Sequence, residues 1–278
     1  MKGIANKTLV PVYEKPDCNS SLSDELLYGM PVTVIKSCIP SINKWVYIMT
    51  EYQYTGYVKR QDLVLEECNQ SYTKWEHAPK KRVTKVYADV LSESRVKGRV
   101  VMELTKGAII AYCGLVMQEQ AGWAKVMLAD GCYGYMIDEF LEEPRNAWNV
   151  SEDRMRQQLV QIAMQYLGTQ YRWGGKSPLG IDCSGLTSMA YLINGILIHR
   201  DAKMVEGFPV HEIAFEDRKP GDLLYFKGHI AMAIDERRYI HATAKMGGNG
   251  VVINSLCPED SDYREDLAKG ILAVGSVF

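Results

Sequence analysis

The first half of the chain repeats itself at a fixed spacing. Gly29, Trp45, Gly56, Tyr57 and Leu63 recur 78 residues later as Gly107, Trp123, Gly134, Tyr135 and Leu141. Each copy has the same grammar: a strand-like lead-in (Leu9 to Tyr13; Val83 to Tyr87), a Gly opening a β-branched run (Val32 to Ile35; Ala108 to Tyr112), a Trp that starts the next strand, and a Gly-aromatic pair before a last strand and an acidic exit. Short strands with turn signals and no helical period predict small barrels. The boundaries read as 1–67 for the first β domain, 68–81 for a polar linker and 82–145 for the second. Trp75 in the linker is expected to pack onto a neighbour. Lys80-Lys81-Arg82, the longest basic run, reads as solvated. Trp45 and Trp123 read as core or groove-wall residues.

The remaining residues, 146–278, change character. Met155, Leu159, Ile162, Ala163 and Tyr166 form a helical stripe over Glu152 to Leu167, with Ser151 placed as N-cap. Leu186, Met189, Ala190 and Ile193 form a second stripe after Cys183, closed by Asn194-Gly195. Strands are expected at Asp222 to Phe226, His229 to Ile234, Arg238 to Ala242 and Gly250 to Ile253. Helices first and antiparallel strands afterwards predict an α+β domain, so the whole chain is expected to be multi-domain, two all-β modules followed by an α+β unit.

Composition removes several function classes. A net charge of −2 with scattered Lys and Arg gives no nucleic-acid or acidic-membrane surface. No run approaches a membrane span, and the N-terminus lacks the apolar core of a secretory signal. The expectation is therefore a cytoplasmic protein, or an extracellular one if a leader has been removed. The seven cysteines (Cys18, Cys38, Cys68, Cys113, Cys132, Cys183, Cys257) are odd in number and contain no CxxC. Six of them read as ordinary thiols of a reducing compartment. The five histidines are dispersed too, so no metal or other cofactor is expected.

Cys183 stands apart. It follows Trp173-Gly174-Gly175 and a further Gly at 180, directly before the second helical stripe. A thiolate is the nucleophilic form of Cys, and a helix N-terminus or a protonated His favours it. The free N–H groups of that helix start can also stabilise an oxyanion. A lowered thiol pKa is therefore expected. His229 and His241 flank the turn at Asp235-Glu236-Arg237. An even register sum in that hairpin puts both on one face, opposite or one diagonal step apart, where one ring fixes the tautomer of the other. An isolated His is more often a satisfied core or surface residue. The pair behind a Gly-framed Cys makes nucleophile (Cys183), base (His229) and orienting group (His241) the stronger reading. His77, His199 and His211 carry no such argument.

Residues 7–66 and 82–143 resemble bacterial SH3-like domains in length and in the order of the Trp and Gly-aromatic elements. The stretches Tyr171-Arg172-Trp173-Gly174-Gly175, Asp182-Cys183-Ser184-Gly185, Pro220-Gly221-Asp222-Leu223, Gly228-His229-Ile230-Ala231-Met232 and Tyr239-Ile240-His241-Ala242 resemble the NlpC-type family of cell-wall cysteine peptidases. That resemblance implies a papain-like fold over 150–278, cleavage of peptidoglycan stem peptides, and Cys183, His229 and His241 as nucleophile, base and third residue. Pro220-Gly221-Asp222 reads as a structural turn. With two SH3-like domains in front, the chain resembles the γ-D-glutamyl-L-diamino-acid peptidase group, dipeptidyl-peptidase VI type. This implies hydrolysis after D-Glu in L-Ala-γ-D-Glu-diamino acid, with a free N-terminal L-Ala. On that reading Asp182 is a candidate for the substrate ammonium, with helix capping as its alternative. Ser184 is a candidate for the D-Glu carboxylate, and Trp173, in the same motif, is a further candidate substrate contact. Glu25, Tyr54 and Tyr57 are candidates for the acid and Tyr wall that the first SH3-like domain supplies in relatives. No second hydroxyl contact can be assigned after Arg200-Asp201-Ala202. The expected partner is the stem peptide, bound by a monomer. Two alternatives stay open: a secreted endopeptidase tethered to the wall by its SH3-like domains, and a non-catalytic wall-ligand-binding protein.

Overall fold

A computed structural model describes residues 1–37, 44–68, 70–117, 121–145 and 149–278. Cys38 and the expected domain start at residue 146 lie outside the described residues. The chain divides into two compact units, Met1–Pro144 and Arg145–Phe278.

The N-terminal unit is built twice from seven strands. The first set is β1 (Lys2–Ala5), β2 (Leu9–Tyr13), β3 (Leu22–Leu27), β4 (Pro31–Ser37), β5 (Trp45–Thr50), β6 (Thr55–Lys59) and β7 (Leu63–Leu65). Helix α1 (Gln70–His77) precedes the second set: β8 (Lys80–Val83), β9 (Tyr87–Leu91), β10 (Val100–Thr105), β11 (Ile109–Leu115), β12 (Trp123–Met127), β13 (Tyr133–Ile137) and β14 (Leu141–Glu142). The sheet orders are β3-β2-β6-β5-β4-β1-β7 and β10-β9-β13-β12-β11-β8-β14, the same order shifted by seven strands. The duplicated glycines have duplicated reasons. Gly29 and Gly107 both sit at positive φ, 80° and 91°. A Cβ on Gly56 would meet Val12 Cγ1 at 2.4 Å, and one on Gly134 would meet Val90 Cγ1 at 2.4 Å.

Three expectations need correction here. The stretch 68–81 is not a bare linker: α1 buries Tyr72 and Trp75, which join the core of the second sheet. Lys80-Lys81-Arg82 is not a solvated run but most of β8, between β11 and β14. The buried Arg82 backbone completes that ladder, while Lys80 Nζ donates to the carbonyls of Trp75, Glu76 and Ala78 at the end of α1. The second lead-in is Tyr87–Leu91, the segment 78 residues beyond Leu9–Tyr13, whereas Val83 to Tyr87 turns from β8 into β9. The two sheets join through buried Tyr28. Its carbonyl accepts from Ile109 N at 2.9 Å and its hydroxyl from Ala129 N at 2.7 Å.

The C-terminal unit opens with α2 (Glu152–Met164), capped by the Ser151 side chain. A small hairpin follows, β15 (Lys176–Ser177) with β16 (Gly180–Ile181), and then α3 (Cys183–Ile193), which ends into Gly195 at φ +82°. The strands are β17 (His211–Ile213), β18 (Leu223–Phe226), β19 (His229–Ala233), β20 (Arg238–Thr243), β21 (Gly250–Ser255) and, after the short α4 (Glu265–Ala268), β22 (Ala273–Ser276). They form one antiparallel sheet in the order β17-β22-β18-β19-β20-β21. β17 and β22 carry no expectation from the sequence, and β21 runs two residues further than Ile253. Pro220-Gly221-Asp222 anchors α2 to this sheet. Buried Asp222 pairs with buried Arg156 at 2.8 Å, and Arg156 also reaches Pro220 O at 3.0 Å. From α3, the Tyr191 hydroxyl donates to Gly221 O at 2.6 Å.

Candidate active site

Residue Cys183 is the first of α3, so its helix start decides its surroundings. Asp182 is the N-cap, and its Oδ1 accepts from Gly185 N at 2.6 Å. Its Oδ2 accepts from Gly174 N at 2.8 Å, which ties the Trp173-Gly174-Gly175 loop to the helix. Gly185 is needed for that approach: a Cβ on it would lie 2.1 Å from Gly175 O. Fully buried Arg200 closes the network with a two-pronged contact to Asp182, 3.0 Å to each oxygen, and a 2.7 Å bond to Ser184 Oγ.

The Asp182 carboxylate thus caps α3 and pairs with Arg200. The Ser184 hydroxyl donates to Asp182 Oδ1 at 3.2 Å and accepts from Arg200, so it too is engaged within the protein. Trp173, by contrast, is 66% exposed and offers an open ring face beside the motif.

Cys183 is 7% exposed. The helix start and the burial of the sulfur act on its pKa in opposite senses. Burial pushes the thiol up to about 11 and the Asp182 carboxylate adds to this, against the Ile230 N–H, the Arg200 cation and the Ser184 N–H. The helix start is real, but desolvation outweighs it. The Ile230 N–H at the sulfur brings β19 against α3 one residue from His229.

The hairpin register is even: Met232 pairs with Ile240 and Ala233 with Tyr239. His229 and His241 are therefore diagonal neighbours on one face, with 2.7 Å between His229 Nε2 and His241 Nδ1. Burial lowers both, His229 to about 3 with help from His241 and the Arg264 cation, and His241 to about 4 against a raising bond from Asn254. Burial thus disfavours the charged form of the thiol and of both imidazoles. Tyr171, which the sequence alone does not single out from the Tyr171–Gly175 stretch, is half-buried. Its phenol is pushed to about 12 by burial and then by the nearby Cys183 and Asp182. Arg200 is not singled out by the sequence either, because only the folded chain reveals that it meets Asp182.

Glu25, Tyr54 and Tyr57 belong to the N-terminal unit. Glu25 is buried in β3, Tyr57 packs on Tyr47 with ring centres 4.8 Å apart, and Tyr54 N donates to Thr50 Oγ1 at 3.0 Å in the turn after β5. In the same unit the Tyr52 hydroxyl donates to Asp24 Oδ2 at 2.5 Å.

Residues 168–261 match the NlpC/P60 family. Along its whole length the chain is 41% identical to a dipeptidyl-peptidase 6 of Lysinibacillus sphaericus, with 100% of both chains covered. It is 26% identical to a γ-D-glutamyl-L-lysine dipeptidyl-peptidase of Bacillus cereus over 80% of this chain and 68% of the relative. A crystal structure of an NlpC/P60 family protein from Bacillus cereus covers 99% of this chain and 98% of its own, with a TM-score of 0.77 at 20% identity, a likeness of fold. The chain belongs to the NlpC/P60 family of cysteine peptidases.

Proposed function

We propose that the chain hydrolyses the bond between the γ-carboxyl of D-Glu and the following diamino acid in peptidoglycan stem peptides. It acts on free peptides with an unblocked N-terminal L-Ala and releases L-Ala-D-Glu. The observation that supports this most is the full-length 41% identity to a dipeptidyl-peptidase 6 in a chain that also joins its two motif histidines. The two β repeats are read as SH3-like domains and the C-terminal unit as papain-like.

On this reading Cys183 Sγ attacks the γ-carbonyl while His229 removes its proton. Because burial disfavours the thiolate, deprotonation accompanies attack. The imidazolium of His229 then protonates the leaving amine, and a thioester remains on Cys183. His229 next activates water, which cleaves the thioester and frees the dipeptide. N–H groups at the start of α3 stabilise the oxyanion in both steps.

Digestion of L-Ala-γ-D-Glu-diaminopimelate, with products weighed by mass spectrometry, tests the proposal. L-Ala-D-Glu and free diaminopimelate are expected. Acetylating the substrate amine is expected to lower kcat/KM by ~10²-fold or more, because the anionic partner of the ammonium, for which buried Asp182 is the candidate, is left unpaired. Equal rates on both peptides would contradict the dipeptidyl-peptidase reading.

A further inference from the structure

The strand ladder does not stop at the histidine pair. On β21, Asn254 pairs with Tyr239 and Val252 with His241. Cross-strand partners share a face, so Asn254 stands one diagonal step beyond His241, on the face that carries His229. The three side chains are in bonding contact: His229 Nε2 to His241 Nδ1 at 2.7 Å, and His241 Nε2 to Asn254 Oδ1 at 2.9 Å. Asn254 Nδ2 then reaches the backbone carbonyl of Asp262 at 2.7 Å.

This chain has one end that cannot be reversed. A carbonyl oxygen only accepts, so the Asn254 atom facing Asp262 is the amide nitrogen, and its oxygen faces His241. That oxygen also only accepts, so His241 carries its proton on Nε2. In a neutral ring Nδ1 is then a lone pair, and it accepts from His229 Nε2–H. His229 is left with its basic lone pair on Nδ1. We propose that Asn254, anchored on the Asp262 carbonyl, is a positioning residue that fixes the proton on both histidines and so makes Nδ1 of His229 the general base.

The anchor is itself braced. The Asp262 carbonyl also accepts from Ser255 N at 3.3 Å. The intervening loop is pinned by Ser255 Oγ on Asp260 at 2.6 Å and by Arg237 on Asp260 at 3.0 Å. An amide suits the position because it relays orientation without adding charge. Burial keeps both rings neutral, and the charged groups that act on them are Arg264 and Asp266. The inference rests on His229 being the base of the proposed hydrolysis, but its first test needs no substrate.

Long-range proton–nitrogen correlation spectra of the histidine-labelled full chain at neutral pH report which ring nitrogen bears the proton. His229 and His241 are both expected as Nε2–H. A proton on Nδ1 of either ring would overturn the proposal, whatever the chain proves to hydrolyse. Asn254→Leu removes the acceptor, and the Nε2–H preference of both rings is then expected to be lost. kcat should fall about 10²-fold, the lower end of what a placed general base contributes, with KM nearly unchanged. Asn254→Asp keeps an acceptor and is expected to retain Nε2–H on His241. A Leu variant with the wild-type tautomers and wild-type kcat would also overturn it.

Discussion

At the scale of single residues, burial weighs against charge across the candidate site. Cys183 and the two histidines are desolvated together, which raises the thiol pKa and lowers both imidazoles. The histidines' lowered pKa values have a consequence for stability. The unfolded chain takes up protons near the ordinary histidine value of ~6.5, while the folded chain resists until pH falls towards about 4 for His241 and about 3 for His229. The neutral pair therefore contributes its full stability above ~6.5, and that contribution is lost as pH falls through this window. Urea unfolding at pH 7 and pH 5 is expected to show a smaller loss for His241→Gln than for the wild-type chain. Equal losses would place the titration elsewhere. Cys183, His229 and His241 could be singled out as candidates from the sequence because local motifs frame each of them. Arg200, Tyr171 and Asn254 could not, because their contacts exist only through partners brought together by folding.

Elements explain where the sequence reading stopped. The hairpin β19–β20 could be paired in advance because its turn lies between two named histidines. β21 offered no such marker, and ending it at Ile253 left Asn254 out of the ladder. The region 68–81 misled through its polarity: α1 shows a charged outer surface and hides Tyr72 and Trp75 on the other. The start of α3 gives the sharpest element-scale expectation. Gly185→Ala would set a Cβ 2.1 Å from the Gly175 carbonyl, a backbone atom that is also fixed to the Asp182–Arg200 network. A loss of about 1–3 kcal/mol in urea unfolding is expected, with a fall in kcat as the helix start and loop separate. Unchanged stability and rate would mean that the loop yields freely.

At the scale of the whole molecule, a duplicated β unit precedes a unit carrying the candidate Cys–His–His residues, and the sequence patterns that suggest this division are the 78-residue offset and the shift to helical stripes. A net charge of −2 supplies no attraction towards a carboxylate-bearing polymer. The full chain is expected to stay in the supernatant when purified sacculi are sedimented, and pelleting with them would favour the tethered endopeptidase. The most direct measurement is made on Cys183→Ala, with the products of L-Ala-γ-D-Glu-diaminopimelate weighed by mass spectrometry and folding followed by thermal melting. Loss of the nucleophile of a covalent hydrolase removes on the order of 10⁶ in rate. The expected result is no detectable L-Ala-D-Glu from a chain that melts like the wild type; release of that dipeptide by the folded variant would contradict thiol catalysis at this residue.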